Sequence, residues 1–430
     1  MLLLGSTFLK YPLNKAVYVL LDGIGDRPHH DLNGVTPLES AYTPNLDSLV
    51  LQGAMGLVTT VGENIPPESD VAVFSMLGYD VRESYVGRGA IEAIGSEMDF
   101  ENGKLALRGN FASASNSGEI IDRRSGRNLT SQEASELAAA VNNNVKLDDG
   151  ATFDLVHTVG HRSVLMFSHP KISLSSDISN TDPAYERIGS MGVAREKIEK
   201  MKISESKPMK ADDASRTSAA LVNEFTEKSL SILQNHPVNQ DRQRDGKLRA
   251  NSILLRDASN RLPNEEKLSA KFGRSFACIA DMPAEVGIGK ITGMHLVTSS
   301  NSSSYSSKAT ETAKLSEKFD VVYVHLKGPD EPGHDGNALL KKKIIEEIDS
   351  QFFGILLKEL ASKEVVYAIT GDHSTPCSLK AHSSDPVPLL ITSSKISTDD
   401  SIKFTESNAE NGSLGMMQGV DVLSTVLSYT

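Results

Sequence analysis

The sequence is poor in cysteine, and it contains no apolar run long enough to cross a membrane. Its 430 residues include two cysteines, Cys278 and Cys377, which lie far apart in the chain. Such sparse cysteine excludes a disulfide-rich scaffold and favours a reducing compartment. No segment approaches the ~18 consecutive apolar residues of a membrane span, and the N-terminal apolar run is too short for a secretory signal. We therefore expect a cytoplasmic protein with no membrane partner.

The chain also has fewer basic residues than acidic residues. The chain has 44 Lys and Arg residues against 56 Asp and Glu residues, a net charge of -12. This negative field disfavours nucleic acid as a partner, although a local basic pocket can still bind an anionic small molecule. The hydrophobic content of 39% is typical of a folded globular protein. The length predicts two or three domains, and a homo-oligomer is one expectation for the oligomeric state.

Short apolar runs predict the strands of a parallel sheet. Ala16–Leu21, Asp320–Leu326 and Val365–Thr370 are rich in β-branched and aromatic residues, without polar alternation. Continuous runs of this kind are typical of strands that are covered on both faces. A further run, Val387–Thr392, predicts a fourth strand.

Helical patterns lie between these runs. Residues Thr43–Val50 begin with a Thr N-cap candidate followed by Pro, and Ser69–Leu77 resembles another helix start. Apolar residues recur at helical spacing from Lys341 to Leu360. Alternating strands and helices predict a doubly wound α/β sheet.

The middle of the chain is richer in Ser, Asn, Arg and Lys, yet it contains its own helical and strand-like runs, such as Ser131–Val141 and Ser163–Phe167. We therefore predict two domains. Residues 1–90 and 276–430 would form the core α/β domain, and residues 91–275 would form a smaller inserted α/β domain.

Acidic residues and histidines follow each of the three predicted parallel strands. Asp22 follows the first strand, Asp330 and His334 follow the second, and Asp372 and His373 follow the third. Each alone is an ordinary turn or cap residue. Together, at the carboxyl ends of neighbouring strands, they would repel one another unless cations bind there. The mixture of carboxylates and imidazoles favours Zn²⁺ or Mn²⁺, and Mg²⁺ stays open.

A nucleophile and an anion pocket complete the candidate chemistry. Ser69 lies at the start of a predicted helix, where it is either a simple N-cap or a nucleophile beside a phosphate-binding helix end. Arginines are frequent in the middle region, where they form either a solvated surface or an anion pocket. The candidate anion-binding residues there are Asp122, Arg123, Arg124, Arg127, Arg162 and Arg256.

Several motifs, in this order, resemble those of the cofactor-independent phosphoglycerate mutases of the shorter archaeal type, within the alkaline phosphatase superfamily. They are D-G-I-G-D-R, T-P-L-E-S-A-Y-T-P-N-L-D, S-D-V-A-V-F-S-M-L-G-Y-D, G-R-G-A-I-E-A, D-R-R-S-G-R, P-D-E-P-G-H-D-G and G-D-H-S-T-P. The resemblance runs nearly end to end. It implies a three-layer alkaline-phosphatase-like core with a mainly parallel sheet and an inserted transferase domain.

The resemblance also implies a set of roles. Ser69 would take the phosphoryl group from 2- or 3-phosphoglycerate and return it to the other hydroxyl, without 2,3-bisphosphoglycerate. Two divalent ions (Mn²⁺, Mg²⁺, Zn²⁺ or Co²⁺) would bind there. One set of ligands would be Asp22, Ser69, Asp372 and His373, and the other would be Asp330, His334 and His382. Lys327 would contact the phosphate with the arginines, and His161, in competition with His157, would be the acid or base.

Three other functions compete with this one. A phosphomonoesterase of the same superfamily would share all the metal ligands, but a large arginine-bearing insert favours a mutase. A nucleotide-binding module would require a glycine-rich phosphate loop after the first strand, and D-G-I-G-D-R is not one. A mutase-like protein without activity is disfavoured by the complete set of candidate ligands.

Overall fold

The computed structural model of the chain describes residues 15–188, 191–195, 201–263, 266–298 and 304–430. The chain divides into two compact units. Unit 1 comprises Met1–Asp80, Glu266–Asp281 and Gly293–Thr430, and unit 2 comprises Val81–Glu265 and Met282–Thr292. In the described ranges, no helix is both long enough and apolar enough to cross a membrane.

These boundaries differ from the predicted ones in three places. Residues 81–90 belong to unit 2 and residues 266–275 to unit 1, and residues 282–292 return to unit 2. The composition could not reveal these exchanges, because the segments that change unit contain ordinary helices rather than polar linkers.

The strands are numbered in chain order. They are β1 (Lys15–Leu21), β2 (Gly53–Thr59), β3 (Leu105–Ala114), β4 (Ile120–Asp122), β5 (Thr152–His157), β6 (Arg162–Ser168), β7 (Tyr185–Ile188), β8 (Met191–Ala194), β9 (Ser252–Ser259), β10 (Phe276–Ala280), β11 (His295–Thr298), β12 (Val321–Leu326), β13 (Val365–Gly371), β14 (Val387–Thr392) and β15 (Gly415–Gln418).

The α-helices are numbered in the same way, and short 3₁₀ segments lie at His30–Leu32 and Ser125–Arg127. The helices are α1 (Pro37–Ser40), α2 (Pro44–Val50), α3 (Ser69–Met76), α4 (Val81–Ser84), α5 (Arg88–Gly95), α6 (Ser131–Asn144), α7 (Asp213–Gln234), α8 (Pro237–Arg244), α9 (Leu268–Phe272), α10 (Pro283–Thr292), α11 (Tyr305–Lys318), α12 (Asp330–Asp335), α13 (Ala338–Ile348), α14 (Gly354–Glu359), α15 (Glu406–Asn411) and α16 (Gly419–Ser428).

Unit 1 is built on a sheet with the strand order β11-β10-β12-β1-β13-β14-β2-β15. The pairs formed by β1, β10, β11, β12 and β13 are parallel, and so is the pair β2 with β15. Strand β14 runs antiparallel to both of its neighbours. The three predicted parallel strands are therefore confirmed, and the fourth run is a strand of opposite direction.

Helices cover both faces of this sheet. Alternate residues of β1, such as Val17 and Val19, pack into a core with Leu46 and Leu49 of α2. On the opposite face, the Tyr18 hydroxyl donates to the carbonyl of Met76 in α3, 3.1 Å away. The result is a mixed α/β core of three layers, as predicted.

The predicted helix from Lys341 to Leu360 is not continuous. A π-helical segment, Asp349–Phe353, separates α13 from α14. There the buried Asp349 carboxylate accepts hydrogen bonds from the Leu46 backbone N–H at 2.8 Å and from the Asn45 side chain at 2.8 Å. A π-helical turn contains more residues than an α-helical turn, and this one begins at the residue whose carboxylate contacts Asn45 and Leu46. Asp349 thus caps α2 from a distance, whereas the predicted cap, Thr43, makes no side-chain cap bond.

Unit 2 contains a five-stranded antiparallel sheet in which β9 and β6 flank β3. Helices α6 and α7 pack against one face of it through Leu137, Val222 and Phe225. Helix α10 packs on α5, and glycines allow the close approach: a Cβ on Gly287 would lie 2.0 Å from the carbonyl oxygen of Ile91.

Candidate active site

The pairing of the three parallel strands brings their carboxyl ends together. Leu21 of β1 lies beside Leu326 of β12 on one side and Gly371 of β13 on the other. The next residues along β1 and β13 are Asp22 and Asp372, so two carboxylates leave the sheet at one edge. This edge is where open α/β sheets bind their ligands.

A first cluster of donor atoms forms around Asp22. The Ser69 hydroxyl oxygen lies 3.5 Å from Asp22 Oδ1 and 3.0 Å from His373 Nε2. His373 Nε2 lies 3.6 Å from Asp22 Oδ1 and 3.4 Å from Asp372 Oδ2. The structure therefore brings together all four residues of the first predicted ligand set.

The orientation of Asp372 is set by the backbone. Its Oδ1 accepts hydrogen bonds from the N–H groups of Gly23 at 3.0 Å and His373 at 2.9 Å. Its Oδ2 is buried and lies 3.4 Å from His373 Nε2 and 3.2 Å from His325 Nε2. This oxygen is therefore the one that faces the cluster.

His325, in strand β12, is a further member of the cluster that sequence reasoning missed. Its Nε2 lies 3.2 Å from Asp372 Oδ2 and 3.9 Å from Asp22 Oδ1. The signal was present, since a histidine interrupts the apolar run V-V-Y-V-H-L. A strand buried on both faces has little reason to carry an imidazole unless a polar partner is close.

A second cluster contains the other predicted ligand set. Asp330 and His334 lie four residues apart on α12, and His382 reaches them from the loop after β13. Asp330 Oδ1 lies 3.5 Å from His334 Nε2 and 3.4 Å from His382 Nε2. The two imidazole Nε2 atoms are 3.2 Å apart.

Three of the four histidines in the two clusters, His334, His373 and His382, hold their Nδ1 atoms against oxygen atoms. His334 Nδ1 lies 3.1 Å from the Lys380 carbonyl, His382 Nδ1 lies 2.7 Å from the Pro67 carbonyl, and His373 Nδ1 lies 3.0 Å from the Thr375 hydroxyl. A carbonyl can only accept, so these contacts place the proton on Nδ1 in His334 and His382. The Nε2 atoms then point into the clusters, which is the usual arrangement of metal-binding histidines.

The spacing of the donor atoms fits divalent ions. Metal–ligand bonds of ~2.1 Å in a tetrahedral site correspond to ligand–ligand separations of roughly 3.4 Å. The separations in the first cluster lie between 3.0 and 3.6 Å, and those in the second between 3.2 and 3.5 Å. The residues present therefore fit two metal ions.

The electrostatics of the clusters also favour the binding of cations. Burial raises the pKa of Asp22 to about 7, and the carboxylates of Asp372 and Asp330 add to the rise, although Lys327 opposes it from 3.3 Å. Against the effect of burial, the hydrogen bond to Asp330 raises the pKa of His382 to about 10. A proton on His382 thus occupies the position where an ion would bind, and binding would displace it.

A third group, His29, His30 and Asp31, also brings three donor residues close together. However, His29 Nδ1 already accepts a hydrogen bond from the backbone N–H of Asp31 at 3.3 Å. His30 and Asp31 form an exposed ion pair of 2.8 Å. This arrangement is satisfied as the start of a 3₁₀ turn and does not require an ion.

Unit 2 contains a cluster of the opposite charge. The fully buried Asp182 accepts two hydrogen bonds from Arg123, at 3.0 and 2.5 Å, and one from Arg256 at 3.3 Å. Both guanidinium groups also lie over the Tyr185 ring, at 5.1 and 4.0 Å from its centroid. Asp182 and Tyr185 were not predicted, because they lie far from both arginines in the chain and carry no sequence signal of their own; Asp182 is 59 residues from Arg123 and 74 from Arg256.

A second buried acid binds two arginines that the sequence analysis left without a role. Glu92 Oε1 lies 2.7 Å from Arg88 Nε and 3.4 Å from Arg108 Nε. The signal for the first pair was the motif G-R-G-A-I-E-A, which places Arg88 and Glu92 one turn apart on α5. Burial, with Arg88 and Arg256 nearby, lowers the pKa of Arg108 to about 9.

The remaining predicted arginines border this cluster. Burial and the neighbouring Arg127 lower the pKa of Arg124, and Arg162 begins strand β6. Asp122 has a different part, because its Oδ1 accepts hydrogen bonds from the backbone N–H groups of Arg124 at 2.7 Å and Gly126 at 3.0 Å. It shapes the arginine loop rather than facing outward as an anion-repelling charge.

The two candidate histidines of unit 2 differ in their surroundings. His157 Nε2 makes a hydrogen bond to the Gly160 carbonyl in its own turn, at 3.0 Å. Burial lowers the pKa of His161 to about 3, and Arg162, Arg124, Arg108 and Arg256 contribute to this. His161 is therefore the histidine within the arginine field, which favours it over His157.

Comparisons with known proteins agree with this architecture. The family model of 2,3-bisphosphoglycerate-independent phosphoglycerate mutase matches residues 51–239. A protein of that name from Aeropyrum pernix is 43% identical over 416 residues, covering 94% of this chain and 96% of the relative. Another, from Methanopyrus kandleri, is 35% identical and covers 96% of this chain and 95% of the relative.

Two solved structures resemble the whole chain. The PH0037 protein of Pyrococcus horikoshii matches with a TM-score of 0.78 and 30% identity, covering 97% of this chain and 98% of that one. The cofactor-independent phosphoglycerate mutase of Thermoplasma acidophilum matches with a TM-score of 0.62 and 29% identity, covering 97% and 99%. Since the similarity spans nearly the full length of the relatives, the chain belongs to the family of 2,3-bisphosphoglycerate-independent phosphoglycerate mutases.

Proposed function

We propose that this protein interconverts 2-phosphoglycerate and 3-phosphoglycerate by two phosphoryl transfers through Ser69, without 2,3-bisphosphoglycerate. The observation that carries the proposal is the position of the Ser69 hydroxyl. It begins helix α3, 3.0 Å from His373 Nε2 and 3.5 Å from Asp22 Oδ1. A serine used only as a helix cap would not be directed at buried carboxylates and an imidazole.

The two clusters of unit 1 would hold two divalent ions, for which we propose Mn²⁺ as the physiological metal. Asp22, Ser69, Asp372 and His373, with His325 adjacent, would bind one ion, and Asp330, His334 and His382 would bind the other. When bound, such ions lower the pKa of a coordinated hydroxyl and stabilise charge on a transferring phosphoryl group.

The reaction proceeds in two displacements of opposite direction. The Ser69 oxygen forms a bond to phosphorus while the bond from phosphorus to the glycerate oxygen breaks, leaving phosphoserine and glycerate. The other hydroxyl of the same glycerate then attacks the phosphoserine, and the Ser69 oxygen leaves. The backbone N–H groups at the start of α3 would face the phosphoryl oxygens during both steps.

Positively charged side chains would bind the anionic groups of the substrate. Lys327 Nζ, which lies 3.3 Å from Asp22 Oδ2, would contact the phosphoryl group. The arginines of unit 2 would bind the carboxylate and phosphate, since guanidinium groups match such groups bidentately. His161 would exchange the proton of the glycerate hydroxyls, and the charge of a bound anion would raise its pKa toward the working range.

A coupled assay with an isotope test examines this proposal. The protein is purified with Mn²⁺, supplied with 3-phosphoglycerate but no 2,3-bisphosphoglycerate, and coupled to enolase. The substrate is a mixture of molecules labelled with ¹⁸O on the phosphoryl group and molecules labelled with ¹³C in the glycerate. We expect 2-phosphoglycerate in which the two labels have not combined, because each phosphoryl group returns to its own glycerate.

Release of inorganic phosphate and glycerate in place of 2-phosphoglycerate would instead identify a phosphomonoesterase. We also propose that the enzyme is cytoplasmic, because Cys278 and Cys377 are buried and form no disulfide within the described residues. Gel filtration of the same preparation measures whether the chain forms the expected homo-oligomer.

A further inference from the structure

We propose that the Thr375 hydroxyl is a positioning group shared by both metal clusters of unit 1, orienting one ligand of each. The inference rests on the proposed function for the ligand roles of His373 and Asp330. Thr375 itself was not among the predicted site residues.

The Thr375 hydroxyl lies between the two clusters. Its Oγ1 is 2.7 Å from Asp330 Oδ1 and 3.0 Å from His373 Nδ1. A hydroxyl has one proton to donate, and an ionised carboxylate can only accept. Thr375 therefore donates to Asp330 Oδ1. The same oxygen must then accept the proton on His373 Nδ1.

This direction of hydrogen bonding determines which ring nitrogen of His373 is free of a proton and can bind a metal ion. With its proton on Nδ1, the ring directs the Nε2 lone pair toward Ser69 Oγ and Asp22, where the first ion would bind. The bond to Asp330 holds Oδ1 toward the Nε2 atoms of His334 and His382 in the second cluster. One hydroxyl thus sets the orientation of a nitrogen ligand in one cluster and an oxygen ligand in the other.

The chain holds Thr375 firmly in this place. Thr375 is fully buried, its N–H donates to the Gly25 carbonyl at 3.0 Å, and its own carbonyl accepts from Lys341 Nζ at 3.0 Å. The fully buried Lys341 ammonium is fixed in turn by Asp26 Oδ2 at 2.9 Å.

Two glycines give further evidence that the structure is packed around Thr375. A Cβ on Gly23 would lie 2.7 Å from Thr375 Oγ1, and Gly23 also has a φ of +63°. A Cβ on Gly333 would lie 2.5 Å from the Thr375 carbonyl and 2.8 Å from Cγ2. Gly23 follows the ligand Asp22, and Gly333 precedes the ligand His334, so both ligand-bearing segments approach this threonine closely.

A matched pair of variants tests the role. Thr375→Val keeps the shape of the side chain and removes the hydroxyl, whereas Thr375→Ser keeps the hydroxyl. Metal-free protein is titrated with Co²⁺, and the visible absorption of the bound ion reports affinity and stoichiometry. Since partners that orient metal ligands are typically worth 10–100-fold in affinity, we expect Thr375→Val to bind both Co²⁺ ions about 10–100-fold more weakly. Thr375→Ser should remain within about threefold of the unsubstituted protein.

Two results would overturn the inference. One is unchanged binding of both ions by Thr375→Val, and the other is an equal loss in Thr375→Ser. Urea unfolding of each metal-free variant is measured alongside, because a role in packing alone would shift the unfolding midpoint of Thr375→Val without weakening Co²⁺ binding.

If Thr375→Val does not fold, a measurement on the unsubstituted protein tests the proposed hydrogen bond between Thr375 and His373. Histidine labelled with ¹⁵N is incorporated, Zn²⁺ is added, and the ring nitrogens are observed by NMR. We expect a proton on Nδ1 of His373 and Zn²⁺ at Nε2, and the reverse assignment would contradict the proposed hydrogen bond. Neither experiment uses phosphoglycerate, so a protein that fails the enolase-coupled assay but shows these metal-binding differences would refute the proposed function and leave this inference standing.

Discussion

The two units of this protein concentrate opposite charges. In unit 1, burial and the carboxylates of Asp372 and Asp330 raise the pKa of Asp22 to about 7. In unit 2, burial and the guanidinium groups of Arg88 and Arg256 lower the pKa of Arg108 to about 9. Each shift moves a group toward its neutral form, because like charges lie close together in a place that water reaches poorly.

The difference lies in how far each unit balances its own charge. Unit 2 pairs its arginines with the buried acids Asp182 and Glu92. In unit 1, several donor atoms of the two clusters converge on common points with separations that suit a metal ion. The donor atoms of unit 1 therefore suit divalent cations, whereas unit 2 pairs much of its positive charge with its own buried acids.

The largest expected effect is the loss of the Ser69 hydroxyl, the proposed nucleophile of unit 1. Ser69→Ala removes the atom that would accept the phosphoryl group, so we expect mutase turnover to fall by at least about 10⁴-fold. The enolase-coupled assay measures the rate, and elemental analysis measures bound Mn²⁺. The metal content should remain near that of the unsubstituted protein. Retained turnover in this variant would remove Ser69 as the nucleophile.

The next largest effect is expected on stability, from the loss of the buried ion pair between Lys341 and Asp26 in unit 1. Lys341 Nζ is fully buried and bonded to Asp26 Oδ2 and two carbonyl oxygens. Lys341→Met leaves the Asp26 carboxylate without its cation, and we expect it to lower the free energy of unfolding by about 3–5 kcal/mol in urea.

The double variant Lys341→Met with Asp26→Asn is the control for that change. Asparagine removes the uncompensated charge and can still accept the hydrogen bonds that Asp26 receives from the N–H groups of Arg27 and Cys377. It should recover at least about half of the lost stability. A double variant as unstable as the single one would show that packing of the lysine stem, rather than charge pairing, is what stabilises the fold.

A pair of adjacent arginines separates structure from binding in unit 2. Arg123 is bonded to Asp182 through two nitrogens, while the Arg124 guanidinium makes no ion pair within the described ranges. Arg123→Gln should lower the free energy of unfolding by about 1–3 kcal/mol. Arg124→Gln should leave stability nearly unchanged and raise KM for 3-phosphoglycerate about 10–100-fold. Equal effects of the two substitutions on KM and on urea unfolding would contradict a structural role for Arg123 and a binding role for Arg124.

The smallest expected effect is a pH dependence from His161. Burial and the arginines lower its pKa to about 3, so the folded protein keeps this ring neutral between pH 3 and 6.5 while the unfolded chain binds a proton. Its neutral burial therefore costs no stability above pH 6.5, and stability is lost progressively as the pH falls below that value. Between pH 7.5 and 5.5, the unsubstituted protein should lose about 1.4 kcal/mol more than His161→Gln in urea unfolding. Parallel losses in both proteins would contradict the shift.

Much of the core could be predicted because its signals are local. The runs that form β1, β12 and β13 are continuous and apolar, and their parallel pairing follows from burial on both faces. The carboxylates that follow these strands are adjacent in sequence to signals that are easy to detect. Their placement at one sheet edge then follows from the parallel pairing alone.

Other features depend on contacts between distant residues and left little trace in the sequence. The π-helical turn at Asp349 exists together with hydrogen bonds to Asn45 and Leu46, about 300 residues away. Nothing in the sequence around Asp182 distinguishes it from an ordinary loop aspartate, and its role follows only from its hydrogen bonds with Arg123 and Arg256. His325 did leave a signal, the histidine within the apolar run V-V-Y-V-H-L, but the sequence alone does not show that its partner is Asp372.

The position of helix α10 in the chain limits how unit 2 can be produced as a separate fragment. Its chain position is between two strands of the unit 1 sheet, but it packs on α5 of unit 2 so closely that a Cβ on Gly95 would lie 1.8 Å from the Pro283 carbonyl oxygen. A gene fragment encoding residues 81–265 would therefore express unit 2 with the groove along α5 stripped of its cover. The shortest continuous segment that contains all of unit 2 is residues 81–292, so recombination could transfer unit 2 to another protein only together with helix α9 and strand β10 of unit 1.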